Sequence, residues 1–250
     1  MNLSLDLNAD LGEGAGQDDA LLGLVTSASI ACGFHAGSPA MMRASLLAAQ
    51  AARVAVGAHP SFQDRENFGR REIAISADDI FALAAYQIGA FAALAASVGI
   101  RPQHVKPHGA LYNMAARDES VADAIARAIA AIDKRLILFA PGASALSRAG
   151  EAQELRVACE VFADRNYLAD GSLVPRSRPD ALLHDPIEGA ERVLRMLAHG
   201  TVRAVDGTEI AVRVDTVCIH GDTPAAVEFA RNLRSELATA GVILSPPKFS

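Results

Sequence analysis

Short apolar runs recur along the chain, and each is followed by a stretch that reads as a helix. The runs are 3–8 (LSLDLN), 28–33 (ASIACG), 54–59 (VAVGAH), 104–108 (HVKPH), 136–141 (LILFAP), 156–163 (RVACEVFA) and 216–222 (TVCIHGD). They read as apolar runs rather than as alternations. Strands covered on both faces have that pattern, and such strands are parallel. Helices are expected near 39–52, 77–98, 120–131, 143–149, 186–198 and 224–240. Ser38-Pro39 and Thr223-Pro224 each supply an N-cap and a proline at the first helical position. Strand–helix repetition predicts an α/β fold, either an open doubly wound sheet or a barrel. One stretch departs from it. Asp206-Gly207 lies between two β-rich runs in 202–214, which predicts a hairpin with a type I′ turn inserted before the last strand.

No linker, repeat or low-complexity segment interrupts the pattern, so residues 1–250 are expected to form one domain. The segment 164–186 is a long loop rich in Arg, Pro and Asp, of a length that is often functional. The most apolar stretch, FALAAYQIGAFAALAASVGI, is interrupted by Gln87 and capped by Asp78 and Asp79, so it reads as a buried helix rather than a membrane span. The start, MNLSLDLNAD, lacks the basic and apolar regions of a signal peptide.

Composition narrows the partners. The net charge is −6 and no basic run occurs, which disfavours nucleic acid, because phosphate binding needs clustered Lys and Arg. Cys32, Cys159 and Cys218 are widely spaced with no CxxC. They read as buried small hydrophobes in a reducing cytoplasm, not as a disulfide framework or structural zinc site.

Candidate chemistry gathers at the strand ends. Asn8 and Asp10 follow the first strand, His35 the second, His59 the third, Lys106 and His108 the fourth, Asp164 and Arg165 the sixth, and His220 and Asp222 the seventh. Parallel α/β folds build their sites at that edge. His104, His184 and His199 fall elsewhere and read as surface or structural. Lys106 and His108 share strand parity and so point to one side. A partly desolvated Lys106 there can bind an anion or stabilise an oxyanion.

LGEGAGQDD (11–19) fails the GxGxxG pattern, and no GxxxxGK[ST] exists, so it reads as a flexible loop whose Glu13 reaches the site. Arg70 and Arg71 close a charged loop and can clamp a carboxylate or phosphate. Tyr112 or Asn113 is expected to line the rim. A divalent metal is possible, with ligands drawn from Asp10, His35, His59, His108 and His220 on separate strand ends.

The blocks DLNADLGE, ACGFHAG, GAHPSF, FGRR, VKPHGALYN, EVFADRNY, DGSLVPR and HGDTPAAV run from Leu5 to Val227. In order and spacing they resemble the LamB/YcsF family, the family of 5-oxoprolinase A subunits. Ser29 stands where the resemblance leads one to expect Asn, and Ser38 where it leads one to expect Asp. The resemblance implies an irregular (β/α) barrel of seven mainly parallel strands, akin to polysaccharide deacetylases. It implies ATP-dependent opening of 5-oxo-L-proline to L-glutamate, with subunits B and C handling ATP. On that reading Asp10, His59 or His108 is the general base, and Lys106 and His220 stabilise negative charge. Asn8, Glu13, His35, Arg70, Asp164, Arg165 and Asp222 bind substrate. A homo-oligomer is compatible with the chain. Two other readings remain: a stand-alone metal-dependent amide or N-acetyl hydrolase, and a non-catalytic subunit that binds a small carboxylated ligand and regulates its partners.

Overall fold

The computed structural model describes residues 4–219 and 226–247. His220 and Asp222 lie outside the described residues. The elements are β1 (Ser4–Leu11), α1 (Asp18–Leu22), β2 (Ser27–Ala31), α2 (Pro39–Ala52), β3 (Ala55–His59), α3 (Ala77–Ser97), β4 (His104–Val105), α4 (Gly109–Arg117), α5 (Glu119–Ile132), β5 (Ile137–Pro141), α6 (Ala145–Ala152), β6 (Arg156–Phe162), α7 (Pro186–His199), β7 (Thr201–Arg203), β8 (Glu209–Ala211), β9 (Thr216–Ile219), α8 (Ala226–Thr239) and β10 (Ile243–Leu244). Seven parallel strands run β1-β2-β3-β4-β5-β6-β9 and close when β9 pairs with β1, from Asp6↔Thr216 to Ala9↔Ile219. The expected seven-stranded barrel is therefore present. β10 adds to the start of β1 beside it.

Local signals explain most boundaries. Ser38 caps α2 by accepting from the Met41 N–H, Pro39 is its first residue, and Arg53 ends it in the left-handed region. Ser76 caps α3 in the same way. Helix α3 has the length and composition of a membrane span. Its Ile80, Ala84, Gln87, Ile88, Phe91 and Ala95 recur at helical spacing and are buried. The Gln87 side chain accepts from the Ser61 N–H and donates to the Ser61 carbonyl, which ties α3 to the loop after β3. That polar residue in an apolar helix is a clasp to the barrel.

Several expectations are corrected. The hairpin β7–β8 exists and is antiparallel, but its turn is not type I′. Gly207 N–H donates to Ala204 O and Ala204 N–H to Thr208 O, and of the central pair only Gly207 has positive φ. That is a three-residue loop with a type I turn and a glycine bulge, which needs just one left-handed residue. The segment 11–19 is a flexible loop only in part: Asp18 begins α1 and its Oδ2 accepts from the Gly12 N–H. Helix α4 was not foreseen, because His108 ends the strand signal and caps the helix at once. His104 follows the structural alternative: it is buried. Its ring stacks on Phe139 and meets the Ser29 hydroxyl at 3.1 Å, above Gly57, where any Cβ would strike the ring.

The largest correction concerns β1. Leu5, Leu7, Ala9 and Leu11 pack in the hydrophobic core, whereas Asp6, Asn8 and Asp10 on the opposite face make polar contacts. Lys106 after β4 reaches both Asp10 on β1 and Glu160 on β6, and neither of those strands neighbours β4. Such contacts cross the barrel interior. The strand alternates because the interior at this level is polar, while the apolar core lies between barrel and helices.

Candidate active site

Two layers of polar residues fill the mouth of the barrel. The inner layer is a buried hydrogen-bonded chain. Asp6 accepts from the hydroxyls of Thr26, Ser27 and Thr216 at 2.6–2.9 Å. Thr216 Oγ1 in turn accepts from Asn8 Nδ2 at 2.7 Å, and Asn8 Oδ1 accepts from Lys106 Nζ at 3.1 Å. Each member thus fixes the donor direction of the next. Lys106 Nζ lies 2.9 Å from Asp10 Oδ1 and 2.9 Å from Glu160 Oε1, and donates to Cys218 Sγ. The other Glu160 oxygen accepts from the Tyr112 hydroxyl at 2.8 Å.

Burial opposes the charge on Lys106, but Asp10, Cys218 and Glu160 together raise its pKa well above normal, so it stays an ammonium. Burial pushes the Cys218 and Tyr112 pKa values well up, so both remain neutral, Cys218 accepting from Lys106 and Tyr112 donating to Glu160. Burial also raises Asp6 to about 6, against the pull of its three hydroxyl partners.

The outer layer is Glu13, His35, His59 and His108. Their loops are tied together. Arg65 donates to the carbonyls of Gly33 and Gly37, which brackets His35. Gly69, at φ +65°, lets its backbone touch His35 and His108, where a Cβ would lie 2.8 Å from the His35 Cβ. The rings of His35 and His108 stack at 3.8 Å, and Phe68 meets both edge-on. His59 Nδ1–H donates to the Lys106 carbonyl at 2.7 Å, and His108 Nε2–H donates to the Phe68 carbonyl at 2.9 Å. These carbonyls set both tautomers. The remaining nitrogens, His59 Nε2 and His108 Nδ1, face each other at 2.9 Å. Glu13 Oε1 lies 2.9 Å from His35 Nε2, 3.4 Å from His108 Nδ1 and 3.8 Å from His59 Nε2. Asp10 Oδ2 lies 3.4 Å from His59 Nε2, where the two layers meet.

Burial lowers the pKa values of His35 and His108, that of His108 strongly, because its histidine neighbours add to the effect. For His59 burial also opposes protonation, but Asp10 and Glu13 outweigh it and the net shift is upward.

Of the residues singled out in the sequence, Asn8, Asp10, Glu13, His35, His59, Lys106 and His108 come together here. Arg165 does not join them. It is buried and donates to the carbonyls of Val174 and Ala181, which pins the long loop after β6. Burial, with Arg176 nearby, lowers its pKa to about 10. Arg70 is exposed, with its guanidinium over the Phe68 ring. Asp164, half-buried beside Arg165, accepts from the Leu183 N–H through its backbone carbonyl. Tyr112 is not at the rim but buried, with its hydroxyl on Glu160, whereas Asn113 is exposed. Sequence reading missed Glu160, Asp6, Thr216 and Cys218. The available signal was parity: Asp6 alternates with leucines, and Glu160 is a lone acid inside an apolar strand.

A family model described as LamB/YcsF matches residues 5–249. The chain belongs to the LamB/YcsF family. Among similar family proteins, the A subunit of 5-oxoprolinase from Methylococcus capsulatus (strain Bath) is 53% identical over 247 residues, covering 97% of this chain and 95% of that protein. The lactam utilization protein of Thermus thermophilus superposes with a TM-score of 0.90 at 47% identity, over 97% of this chain and 99% of that chain. The catalytic domain of a peptidoglycan N-acetylglucosamine deacetylase from Eubacterium rectale superposes with a TM-score of 0.54 at 9% identity, over 99% and 90% of the two chains. That last likeness shows the fold alone, which places the LamB/YcsF barrel beside the deacetylase barrels.

Proposed function

We propose that the chain is the A subunit of an ATP-dependent 5-oxoprolinase and completes the opening of 5-oxo-L-proline to L-glutamate. The names of the similar proteins support the substrate. The observation that carries the reading is Lys106, an ammonium held by Asp10 and Glu160 beneath a cluster of acceptors.

A five-membered lactam is a stable amide. Phosphorylation of its oxygen by ATP turns that oxygen into part of a leaving group. Water then adds to the ring carbon, and the ring C–N bond breaks with a proton passing to nitrogen. The acyl phosphate so formed takes a second water and releases glutamate and phosphate. The chain carries no nucleotide-binding motif, so ATP is used by subunits B and C, and the activated ring is passed here. Asp10 accepts the water proton. Lys106, already oriented by Asn8 and Glu160, faces the negative charge that develops on the substrate oxygens. Arg70 at the rim holds the substrate carboxylate. The setting is a cytoplasmic complex.

The test mixes the chain with candidate B and C subunits, ATP and 5-oxoproline, and measures glutamate with each protein omitted in turn. Glutamate is expected only from the full mixture. Glutamate formed equally well without this chain, or at wild-type rates with Lys106→Met, overturns the reading.

A further inference from the structure

The outer layer lacks a positive charge that its geometry demands. With both rings neutral, the His59 and His108 nitrogens that face each other at 2.9 Å are lone pairs, because each ring donates its one proton to a backbone carbonyl. Glu13 Oε1 adds a third acceptor, and His35 Nε2 a fourth atom on the same point. All four lie within 4.8 Å of one another. One added proton satisfies a single pair of them. The charges agree with a larger deficit. Asp10, Glu13 and Glu160 are three carboxylates beside one ammonium, Lys106, and all four side chains are nearly inaccessible to solvent. A buried surplus of negative charge is costly unless a cation neutralises it.

We infer that Glu13 Oε1, His35 Nε2, His59 Nε2 and His108 Nδ1 bind one divalent transition-metal ion of the zinc class. Bonds of about 2.1 Å to one ion place neighbouring ligand atoms roughly 3 to 4 Å apart. The separations of 2.9, 2.9, 3.4 and 3.8 Å match that spacing. Three nitrogens against one oxygen favour zinc, cobalt or nickel over magnesium and calcium, which select oxygen. The carbonyls of Lys106 and Phe68 are the outer partners that metal-bound histidines use to fix ring orientation. Bound there, the ion supplies a Lewis acid beside Asp10 and Lys106. The inference stands on this cluster alone and holds whatever the substrate.

The test uses the isolated chain, stripped with chelator and dialysed against Zn²⁺ or Co²⁺. One ion per chain is expected, with visible Co²⁺ bands of nitrogen–oxygen ligation and a rise in melting temperature on Zn²⁺ addition. Glu13→Gln and His108→Gln are each expected to weaken binding beyond the roughly 10- to 100-fold typical of losing an outer partner. A double variant at the exposed His184 and His199 is expected to bind like wild type. Absence of stoichiometric binding, or binding that survives unchanged in both site variants, overturns the inference. Neither result touches the glutamate assay, which reads the substrate and the partners.

Discussion

The two layers of the barrel mouth are built on opposite rules. In the inner layer donors meet acceptors: Lys106 meets Asn8, Asp10 and Glu160, Asn8 meets Thr216, and Thr216 meets Asp6. In the outer layer acceptors meet acceptors, with His59, His108 and Glu13 converging on one point. A saturated network is rigid and expensive to break. An unsaturated one is incomplete until something else enters. The difference teaches which layer holds position and which layer receives, and it assigns opposite expectations to mutations only a few ångströms apart.

The largest effect is expected where the inner layer loses its cation. Lys106→Met leaves Asp10 and Glu160 buried and uncompensated, a loss of about 3–5 kcal/mol of stability, together with loss of glutamate formation. Chemical denaturation measures the first and the coupled assay the second. Adding Glu160→Gln removes one stranded charge. The double variant is expected to recover much of the stability and none of the turnover. Recovery of turnover would show that Lys106 acts only as a strut.

Next in size is a pH effect at the foot of the same chain. Folding raises the Asp6 pKa from its ordinary 3.8 to about 6, through burial. Between those values the folded chain binds more protons than the unfolded one, so stability falls as pH rises through that window and is flat above it. The loss amounts to about 3 kcal/mol. Asp6→Asn removes the titration. The stability difference between wild type and this variant, followed by denaturation from pH 3.5 to 7, is expected to decline with pH and then level. A flat difference would mean that the hydroxyls of Thr26, Ser27 and Thr216 offset the burial and leave the carboxyl at its ordinary pKa.

The outer layer was more legible in the sequence than the inner one, and the reason is physical. His35, His59 and His108 sit where strands end, and the closure of parallel strands brings all strand ends to one rim. Strand-end position is therefore enough to group them. Glu160 and Asp6 lie inside strands, where a polar residue is uninformative until one knows which face points into the barrel. The apolar runs suggested strands covered on both faces, so the polar interior was hidden although Leu5-Asp6-Leu7-Asn8 alternates openly. Arg165 misled in the other direction. At a strand end it counted among the expected substrate-binding residues, but its partners are carbonyls that return from Val174 and Ala181, a long-range contact that no local pattern encodes. The seven strands and most helices were readable because each has its own apolar run and cap. Helix α4 was not, because His108 serves both as the end of one signal and the cap of the next.

The smallest effect is the sharpest separation of the two layers. Glu13→Gln replaces one acceptor among lone pairs with a side chain that also carries an N–H donor. In chelator-treated protein that donor can reach His108 Nδ1, now 3.4 Å from the Glu13 oxygen. Melting temperature is expected to stay level or rise, by up to about 1 kcal/mol of added stability, the typical net worth of one hydrogen bond. Glutamate formation is expected to fall in the same variant. Stability and activity then move apart, as they do where a site is held unsaturated for its ligand. A clear destabilisation in metal-free Glu13→Gln would mean that Glu13 is already satisfied by His35 alone, and the outer layer would have to be read as a closed network like the inner one.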